Sequence, residues 1–193
     1  VFEGLDGAGK STAARLTAEA LGADYLTTPS EVVRAFREPL IADFEGSQEA
    51  AELFYLATVF AASRDIEQRL AAGTSVVLDR YFLSTVAYAD FRGSKLDLDH
   101  IQRHLLPAHL TVFLVAPLNV RAARIAARGA SAADRETLDR KADAQLRANH
   151  LARAELDVVG KLLTIDSSLR KPNEVVADVL QRAVPTEASF RSH

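Results

Sequence analysis

Short apolar runs alternate along this chain with longer segments in which apolar residues recur at every third or fourth position. The runs at 75–78 and 110–115 are apolar apart from one Ser or Thr each, which is typical of strands covered on both faces. Other short runs predict further strands at 1–3, 24–27 and 162–165. The helical periodicity predicts helices at 12–21, 31–43, 48–70, 83–91, 98–106, 118–128, 134–159 and 173–183. Because strand and helix alternate repeatedly, we expect an α/β fold: a parallel sheet with right-handed crossovers and helices on both faces.

Length and composition predict one domain at 1–184, followed by a polar C-terminal tail at 185–193. The chain has 193 residues, 48% of them hydrophobic and 25% charged, which is enough for a core of its own. Its longest apolar stretch, 53–62, is too short to cross a bilayer. A net charge of -3 argues against nucleic acid or an anionic membrane as the main partner. We therefore expect small-molecule partners, with no nucleic acid and no membrane.

The absence of two residue types, cysteine and methionine, bears on the protein's chemistry and its start. There is no cysteine, which excludes disulfides and metal–thiolate sites, fits a reducing compartment and leads us to expect a cytoplasmic protein. There is no methionine either, so we expect that Val1 is not the native start. The five histidines show no metal-ligand spacing with carboxylates, and none is predicted to be catalytic.

The first chemical signal is a glycine-rich segment between the first predicted strand and the first predicted helix. Residues 4–11 read G-L-D-G-A-G-K-S, which matches the phosphate-loop pattern G-x-x-x-x-G-K-S. Such a loop points several backbone N–H groups at one anion, beside the positive end of a helix dipole. Lys10 is expected to reach the β- and γ-phosphates, and the Ser11 hydroxyl to ligate Mg²⁺. The predicted ATP contacts in this segment are Gly4, Gly7, Ala8, Gly9, Lys10, Ser11 and Thr12.

The second signal follows the third predicted strand. Asp79 comes directly after a buried apolar run, so it is expected beside the phosphate loop, where it can reach Mg²⁺ or its waters. Arg80 comes next and can hold a phosphate with two N–H donors. The alternative is a helix cap followed by a solvated arginine, and the nearby phosphate loop favours the functional interpretation.

These segments resemble the thymidylate kinase family. Segment 2–12, F-E-G-L-D-G-A-G-K-S-T, is similar to that family's phosphate loop, and D-R-Y at 79–81 is similar to its second motif together with Ser84 and Tyr88. Arginines at 121, 124 and 128 with D-R-E at 134–136 resemble its lid, and 166–168 with 174–175 resemble the stretch that flanks its adenine site. The resemblance implies a three-layer P-loop NTPase fold with a five-stranded parallel sheet, an arginine-bearing lid at about 124–140, and a homodimer. It also implies Mg²⁺- and ATP-dependent phosphorylation of a deoxynucleoside monophosphate, foremost dTMP to dTDP.

The resemblance also suggests roles for single residues. It assigns Asp6 to the 3′-hydroxyl of the acceptor. Ala8 stands where some members carry a basic loop residue, so the catalytic arginines are expected to come from the lid. A charged stripe on a helix is often only solvated, but charge that develops on the transferring phosphoryl group must be met by arginines or Mg²⁺. We predict a catalytic set of Lys10, Asp79, Arg80, Arg128 and Arg135, with Arg124 at the ATP, and we expect surface positions for Arg103, Arg153 and Arg182.

The residues expected around the acceptor depart from the family pattern and do not identify its base. The predicted acceptor contacts are Asp6, Tyr55, Arg80, Ser84 and Tyr88. Val59 stands where the family carries an arginine that contacts the base, Ala89 replaces a common glutamine, and no charged residue directly precedes Pro29. Candidates for holding the acceptor phosphate are Arg34, Arg37 and Arg64, and helical periodicity does not choose between them.

Two other function classes stay open on the sequence alone. A kinase of a neutral acceptor, such as a deoxynucleoside, needs a carboxylate base beside a hydroxyl, and Glu31 or Asp79 could serve. A nucleotide-dependent switch is disfavoured because the chain contains no guanine-reading N-K-x-D motif. Whether the acceptor is a phosphate or a hydroxyl therefore separates the two kinase hypotheses.

Overall fold

The sheet has five parallel strands. The computed structural model describes residues 1–183, apart from the side chains of residues 132 and 133, so the predicted tail at 185–193 lies outside the described residues. The strand order is β2-β3-β1-β4-β5, with β1 (Phe2–Gly4), β2 (Asp24–Thr27), β3 (Val76–Asp79), β4 (Leu110–Val115) and β5 (Lys161–Asp166). Each strand begins and ends within one residue of its predicted position, which confirms the strand predictions.

Helices cover both faces of this sheet, as predicted. They are α1 (Lys10–Leu21), α2 (Glu31–Asp43), α3 (Gln48–Ala71), α4 (Phe82–Arg92), α5 (Leu118–Arg128), α6 (Ala132–Glu136), α7 (Arg140–Leu151) and α8 (Pro172–Ala183), with short 3-10 helices at Asp99–His104 and Asp157–Val159. Within residues 1–183, no helix combines the length and the apolar character needed to cross a membrane.

Alternate strand residues point to opposite faces and so divide the core. On one face α1 and α8 pack against the sheet through residues such as Ala14 and Val175, which meet Val112 and Leu114. On the other face α3 and α4 pack against Leu78, and α7 packs against Phe113. Period-two alternation along β3 and β4 therefore builds the three layers.

Two helix predictions are wrong. The expected helix at 134–159 is broken, because the Asp139 side chain accepts hydrogen bonds from the N–H groups of Lys141 at 2.7 Å and Ala142 at 2.9 Å and starts α7 there. The expected helix at 98–106 is a 3-10 helix. Polar caps inside a charged segment are hard to distinguish from solvated helix residues by periodicity.

The expectation that Arg153 is a surface charge is also wrong. Its guanidinium pairs with Asp90 at 2.6 Å and with Asp99, and only 16% of its side chain is exposed. This arginine therefore ties the turn after α7 to α4 and to the segment that follows α4.

The bend before β5 requires a glycine. Gly160 has φ 60, and a Cβ at this position would lie 1.8 Å from the carbonyl oxygen of Ala108. Gly73 has a similar φ of 83, but nothing lies within 4 Å of its Cβ position.

We predict that Gly160→Ala destabilises the protein more than Gly73→Ala does. Both substitutions carry left-handed backbone strain of about 1–2 kcal/mol. Only Gly160→Ala also forces two backbone segments apart, which adds about 1–3 kcal/mol. Urea unfolding of the two variants measures the difference, and equal losses in the free energy of unfolding would contradict the close approach to Ala108.

Candidate active site

The phosphate loop lies at the centre of the carboxyl edge of the sheet, because β1 lies between β3 and β4. Gly9 precedes α1 with φ 97, and the helix begins at Lys10. The Lys10 side chain is buried and its Nζ donates to the carbonyl of Leu5 at 2.9 Å. Burial, followed by the nearby positive charge of Arg80, lowers the pKa of Lys10 to about 8. An anion bound in the loop would therefore favour the charged form of Lys10.

The loop rests directly on α5. A Cβ on Gly7 would lie 2.7 Å from the carbonyl oxygen of Arg121, so only glycine permits this approach. The Arg121 side chain is fully buried, and it donates to the carbonyl of Asp6 at 2.7 Å and to the carboxylate of Asp143 at 2.5 Å. Although Arg121 shares the spacing of the lid arginines, it supports the loop from below and does not line the cavity.

Arg124 joins the phosphate loop to the segment after β5. Its guanidinium donates to the carbonyl of Gly7 at 3.3 Å and to the carbonyl of Ser167 at 2.6 Å. The Ser167 hydroxyl in turn donates to the carbonyl of Ala8 at 2.8 Å. The neighbouring cavity wall is formed by Arg170, Pro172 and Val175.

Asp6 and Arg80 form an ion pair in the middle of the site. The second carboxylate oxygen of Asp6 accepts from the hydroxyl of Tyr88 at 2.7 Å. Burial alone would raise the pKa of Asp6, but the positive charges of Arg80 and Lys10 outweigh it and hold that pKa well below its usual range. Asp6 is therefore a fixed negative charge inside a cluster of cations.

Arg80 is held on three sides. Its backbone has φ 71, its guanidinium donates to the Ser84 hydroxyl at 3.2 Å, and it lies 5.5 Å from the centre of the Tyr88 ring. Burial would lower the pKa of Arg80, but Asp6 and other nearby anionic groups raise it further. The structure thus brings together four predicted residues from three segments: Asp6, Arg80, Ser84 and Tyr88.

Glu3 is a residue that the motif analysis did not single out as a contact. It is buried in β1, and its carboxylate accepts from the N–H groups of Tyr81 at 2.9 Å and Ser84 at 3.2 Å, and from the Ser84 hydroxyl. Burial raises the pKa of Glu3. This carboxylate lies on β1 and caps the first turn of α4. In the sequence, the sign of such a role was a single acidic residue within a short apolar strand.

His150 supports the site from below without joining it. The ring is buried on α7, 6.1 Å from the ring of Tyr88, and its Nδ1 faces the carbonyl of Leu146 at 2.7 Å. Burial lowers the pKa of His150 to about 4, so the ring is neutral at pH 7. Its ring packs against that of Tyr88.

Asp79 offers a carboxylate oxygen suited to a divalent cation. Its Oδ2 accepts from the hydroxyl of Tyr25 at 3.3 Å, while its buried Oδ1 has no hydrogen-bond partner among residues 1–183. The Ser11 hydroxyl lies in the first turn of α1 and lines the same cavity. One carboxylate, one hydroxyl and the phosphates of a nucleotide are a normal ligand set for Mg²⁺, so these residues fit the metal. Within the described chain, no group of three acidic or histidine side chains could hold a metal without a nucleotide.

The segment predicted to form a lid places its two arginines differently. Arg128 lines the cavity and pairs with Asp134 at 2.6 Å, with 55% of its side chain exposed. Arg135 is exposed, does not line the cavity, and donates to the carbonyl of Ala130 at 3.0 Å. The segment is joined to α4 by an ion pair of 3.1 Å between Arg92 and Glu136.

One cavity of about 1410 Å³ connects these groups. It runs from the phosphate loop, between α4 and the lid segment, to α2 and α3. The predicted site residues that line it are Asp6, Gly7, Ala8, Gly9, Lys10, Ser11, Thr12, Tyr55, Asp79, Arg80, Ser84, Tyr88, Arg124 and Arg128. Gly4 ends β1 beneath the loop and, like Arg135, is not part of the cavity wall.

The three arginines considered for the acceptor phosphate differ in their access to the cavity. Arg34 and Arg37 line the cavity, whereas Arg64 is exposed and pairs with Glu67 at 2.9 Å. Val59 is fully buried in the core beside Leu56. The position of the family's base-contacting arginine therefore does not face the cavity in this chain.

Known proteins with similar sequences point to one family. The sequence profile described as thymidylate kinase matches residues 2–179. A probable thymidylate kinase of Thermococcus onnurineus is 32% identical over 200 residues, covering 92% of this chain and 94% of that protein. A probable thymidylate kinase of Methanococcus vannielii is 40% identical over 100 residues, which cover 48% of this chain and 47% of that protein.

Solved structures show the same fold. Thymidylate kinase from Candida albicans is 20% identical and superposes with a TM-score of 0.69, over 94% of this chain and 88% of that one. Deoxyadenosine kinase from M. mycoides is 16% identical, with a TM-score of 0.65 over 94% of this chain and 96% of that one. Both confirm the predicted three-layer P-loop fold. Since the family profile extends from the first strand into the last helix, this chain belongs to the thymidylate kinase family.

Proposed function

We propose that this protein transfers the γ-phosphate of Mg·ATP to dTMP, producing ADP and dTDP. The observation that carries the proposal is the one continuous cavity that joins the phosphate loop to the Asp6–Arg80 ion pair and to Tyr55 on α3. At about 1410 Å³ it exceeds the roughly 300–1,000 Å³ of sites for one small ligand, which supports two nucleotides bound end to end.

The donor nucleotide is assigned to the phosphate loop. Lys10 and the loop N–H groups would bind the β- and γ-phosphates, and the adenine would lie against Arg124 and the wall at Pro172. Ser11 and Asp79 would hold Mg²⁺, which when bound neutralises charge on the phosphates. The buried, unpartnered Oδ1 of Asp79 supports this assignment.

The acceptor nucleotide is assigned to the other end of the cavity. Asp6 would accept a hydrogen bond from the sugar 3′-hydroxyl, Arg80 would hold the acceptor phosphate with help from Arg34 or Arg37, and Tyr55 would stack on the base. An oxygen of the acceptor phosphate forms the new bond to the γ-phosphorus, and the bond to the β,γ-bridging oxygen breaks, so ADP leaves with the electron pair.

A neutral acceptor fits this site less well. A hydroxyl must lose its proton on attack, whereas the phosphate of dTMP is already anionic and needs no base. Glu31, one of the two carboxylates considered for that role, is exposed and does not line the cavity. The other, Asp79, is assigned to the metal.

We predict that, with ATP, the protein phosphorylates dTMP and not thymidine. Lys10→Ala should reduce transfer to dTMP by about 100-fold or more, because Lys10 meets the charge on the transferring group. Lys161→Ala, on an exposed lysine at the start of β5, should leave the rate unchanged and serves as the control. A coupled ADP-release assay measures the rate with a panel of deoxynucleoside monophosphates and with their nucleosides. Phosphorylation of nucleosides alone would contradict the proposal.

We predict that Arg128 and Arg135 act in the transition state, after the lid closes. Closure would exchange the contacts of Arg128 with Asp134 and of Arg135 with Ala130 for contacts with phosphate oxygens, and would exclude water. Alanine at either position should lower kcat by about 100-fold with little change in the KM for ATP. Arg103→Ala, on an exposed arginine, is the matched control. Small effects confined to KM would mark both as surface charges.

We propose further that the protein forms a homodimer through α2 and α3. No residue of α2 is buried, and its apolar stripe leaves Val32 73% and Phe36 62% exposed, while Leu53 and Phe60 are exposed on α3. Apolar stripes on two adjacent helices are typical of a self-complementary interface, and the family resemblance implies such a dimer. Cytoplasmic location stays a prediction.

Sedimentation should therefore give a mass of twice the 20.9 kDa chain at micromolar concentration. Phe36→Glu should produce monomers, because it places a charge in the apolar contact. Leu169→Glu changes a side chain that is 96% exposed outside these helices and should leave the dimer intact. A monomeric unmodified protein at that concentration would exclude the dimer.

A further inference from the structure

We propose that Glu52 selects the acceptor base by accepting a hydrogen bond from N3–H of thymine. This inference rests on the proposed function, because it concerns the base of the same acceptor nucleotide. Nothing in the phosphate-transfer scheme above uses Glu52, although it is a buried acidic residue in the wall of the acceptor cavity.

The cavity face of α3 carries one charged residue. Four α3 residues line the cavity at helical spacing: Gln48, Ala51, Glu52 and Tyr55. Val59, one turn further, turns into the core. Glu52 therefore lies on the same face as Tyr55, three residues before the ring that is expected to stack on the base.

The carboxylate of Glu52 is held in place at one oxygen. Only 3% of the residue is exposed, and Oε2 accepts a hydrogen bond from the hydroxyl of Ser94, just after α4. That hydroxyl also accepts from the N–H of Leu96 at 3.4 Å, which directs its proton toward Glu52. In the chain from 1 to 183, Oε1 has no donor. Burial raises the pKa of Glu52.

The chemistry of the pyrimidine edge then limits what Oε1 can bind. An ionised carboxylate only accepts hydrogen bonds, and N3–H is the only donor on the ring of thymine, between the carbonyls O2 and O4. Cytosine presents a lone pair at N3, which a carboxylate oxygen would repel. Glu52 therefore favours thymine and uracil over cytosine, and it supplies base recognition that Val59 cannot.

Nearby aromatic packing supports a stacking role for Tyr55. The Tyr55 ring lies 5.3 Å from that of Phe54 at an interplanar angle of 68°, and Phe54 meets Phe44 in the same edge-to-face manner at 6.1 Å. A ring held in this way can define the plane of the base, so that the edge of the base is directed at a polar group on the same helix face.

The first test uses 3-methyl-dTMP, in which N3–H is replaced. With the unmodified protein, kcat/KM should fall by about 10- to 100-fold relative to dTMP, because a buried acceptor loses its donor. In Glu52→Ala the two substrates should be equally good, since neither the lost bond nor a clash with the carboxylate remains. The two substrates and the two proteins form a double-mutant-type cycle. It separates recognition of N3–H by Glu52 from a clash of the methyl group with some other residue.

The second test is a specificity switch with Glu52→Gln. The amide oxygen can still accept from Ser94, which turns the NH₂ group toward the base, where it opposes N3–H of thymine and matches N3 of cytosine. The ratio of kcat/KM for dTMP to that for dCMP should fall by about 100-fold. Glu67→Gln is the matched control on the exposed face of the same helix, and it should leave the ratio unchanged.

The outcomes separate this inference from the proposed function. An unmodified protein that phosphorylates no nucleoside monophosphate overturns the proposed function and this inference together. A protein that phosphorylates dTMP but accepts 3-methyl-dTMP equally well, or whose ratio is unchanged in Glu52→Gln, overturns the inference alone. Thermal unfolding and ATP binding of the variants establish that they fold. Equal kcat/KM for 3-methyl-dTMP and dTMP with the unmodified protein overturns the inference whether or not they do.

Discussion

The ion pair between Asp6 and Arg80 is the contact on which the site depends. It joins the loop after β1 to the turn after β3, two segments that the strand order makes neighbours. Asp6 is negative because Arg80 and Lys10 surround it, and Arg80 is oriented because Asp6, Ser84 and Tyr88 hold it. The turn after β3 is in turn fixed by Glu3, whose buried carboxylate caps α4. A small set of buried charges thus positions both ends of the cavity.

Positive charge dominates the cavity wall around this pair. Lys10 on α1, Arg80 after β3, and Arg124 and Arg128 on α5 face the cavity from three different parts of the fold. The lowered pKa of Lys10 reflects burial and the nearby charge of Arg80. Such an arrangement is costly without anions and favourable with them, since fixed charges need no reorganisation when phosphate binds. In the proposed function, the phosphates of two nucleotides balance this charge, and the Arg128–Asp134 pair holds one lid arginine at the rim until closure.

The α2–α3 end of the cavity differs in chemistry from the phosphate-loop end. Arginines and backbone N–H groups bind phosphates and do not discriminate between bases. The α3 face instead offers an aromatic ring and one carboxylate held by Ser94. In the proposed scheme, a charged group at position 52 rather than 59 would change base recognition from donation by an arginine to acceptance by a carboxylate, on the helix that also carries Tyr55.

Much of the fold could be predicted from the sequence. Short, largely apolar runs between helical segments located all five strands to within one residue, and the two longest apolar runs marked strands that are covered on both faces. The phosphate loop was equally clear, since its glycines, lysine and serine are each required by local geometry. The helix at 134–159 failed because the cap at Asp139 lies in a segment that is polar throughout.

What the sequence determined alone was therefore local: strand positions, the loop, and the presence of Asp79 and Arg80 after a buried strand. Tertiary structure decided which of several equally spaced residues does what. Arg121 and Arg128 have the same helical pattern, yet one is buried under Gly7 and the other lines the cavity. Glu52 and Val59 lie two turns apart, and only packing of α3 against α4 directs one into the cavity and the other into the core. Helical spacing defines a face, but only the neighbouring elements decide what that face meets.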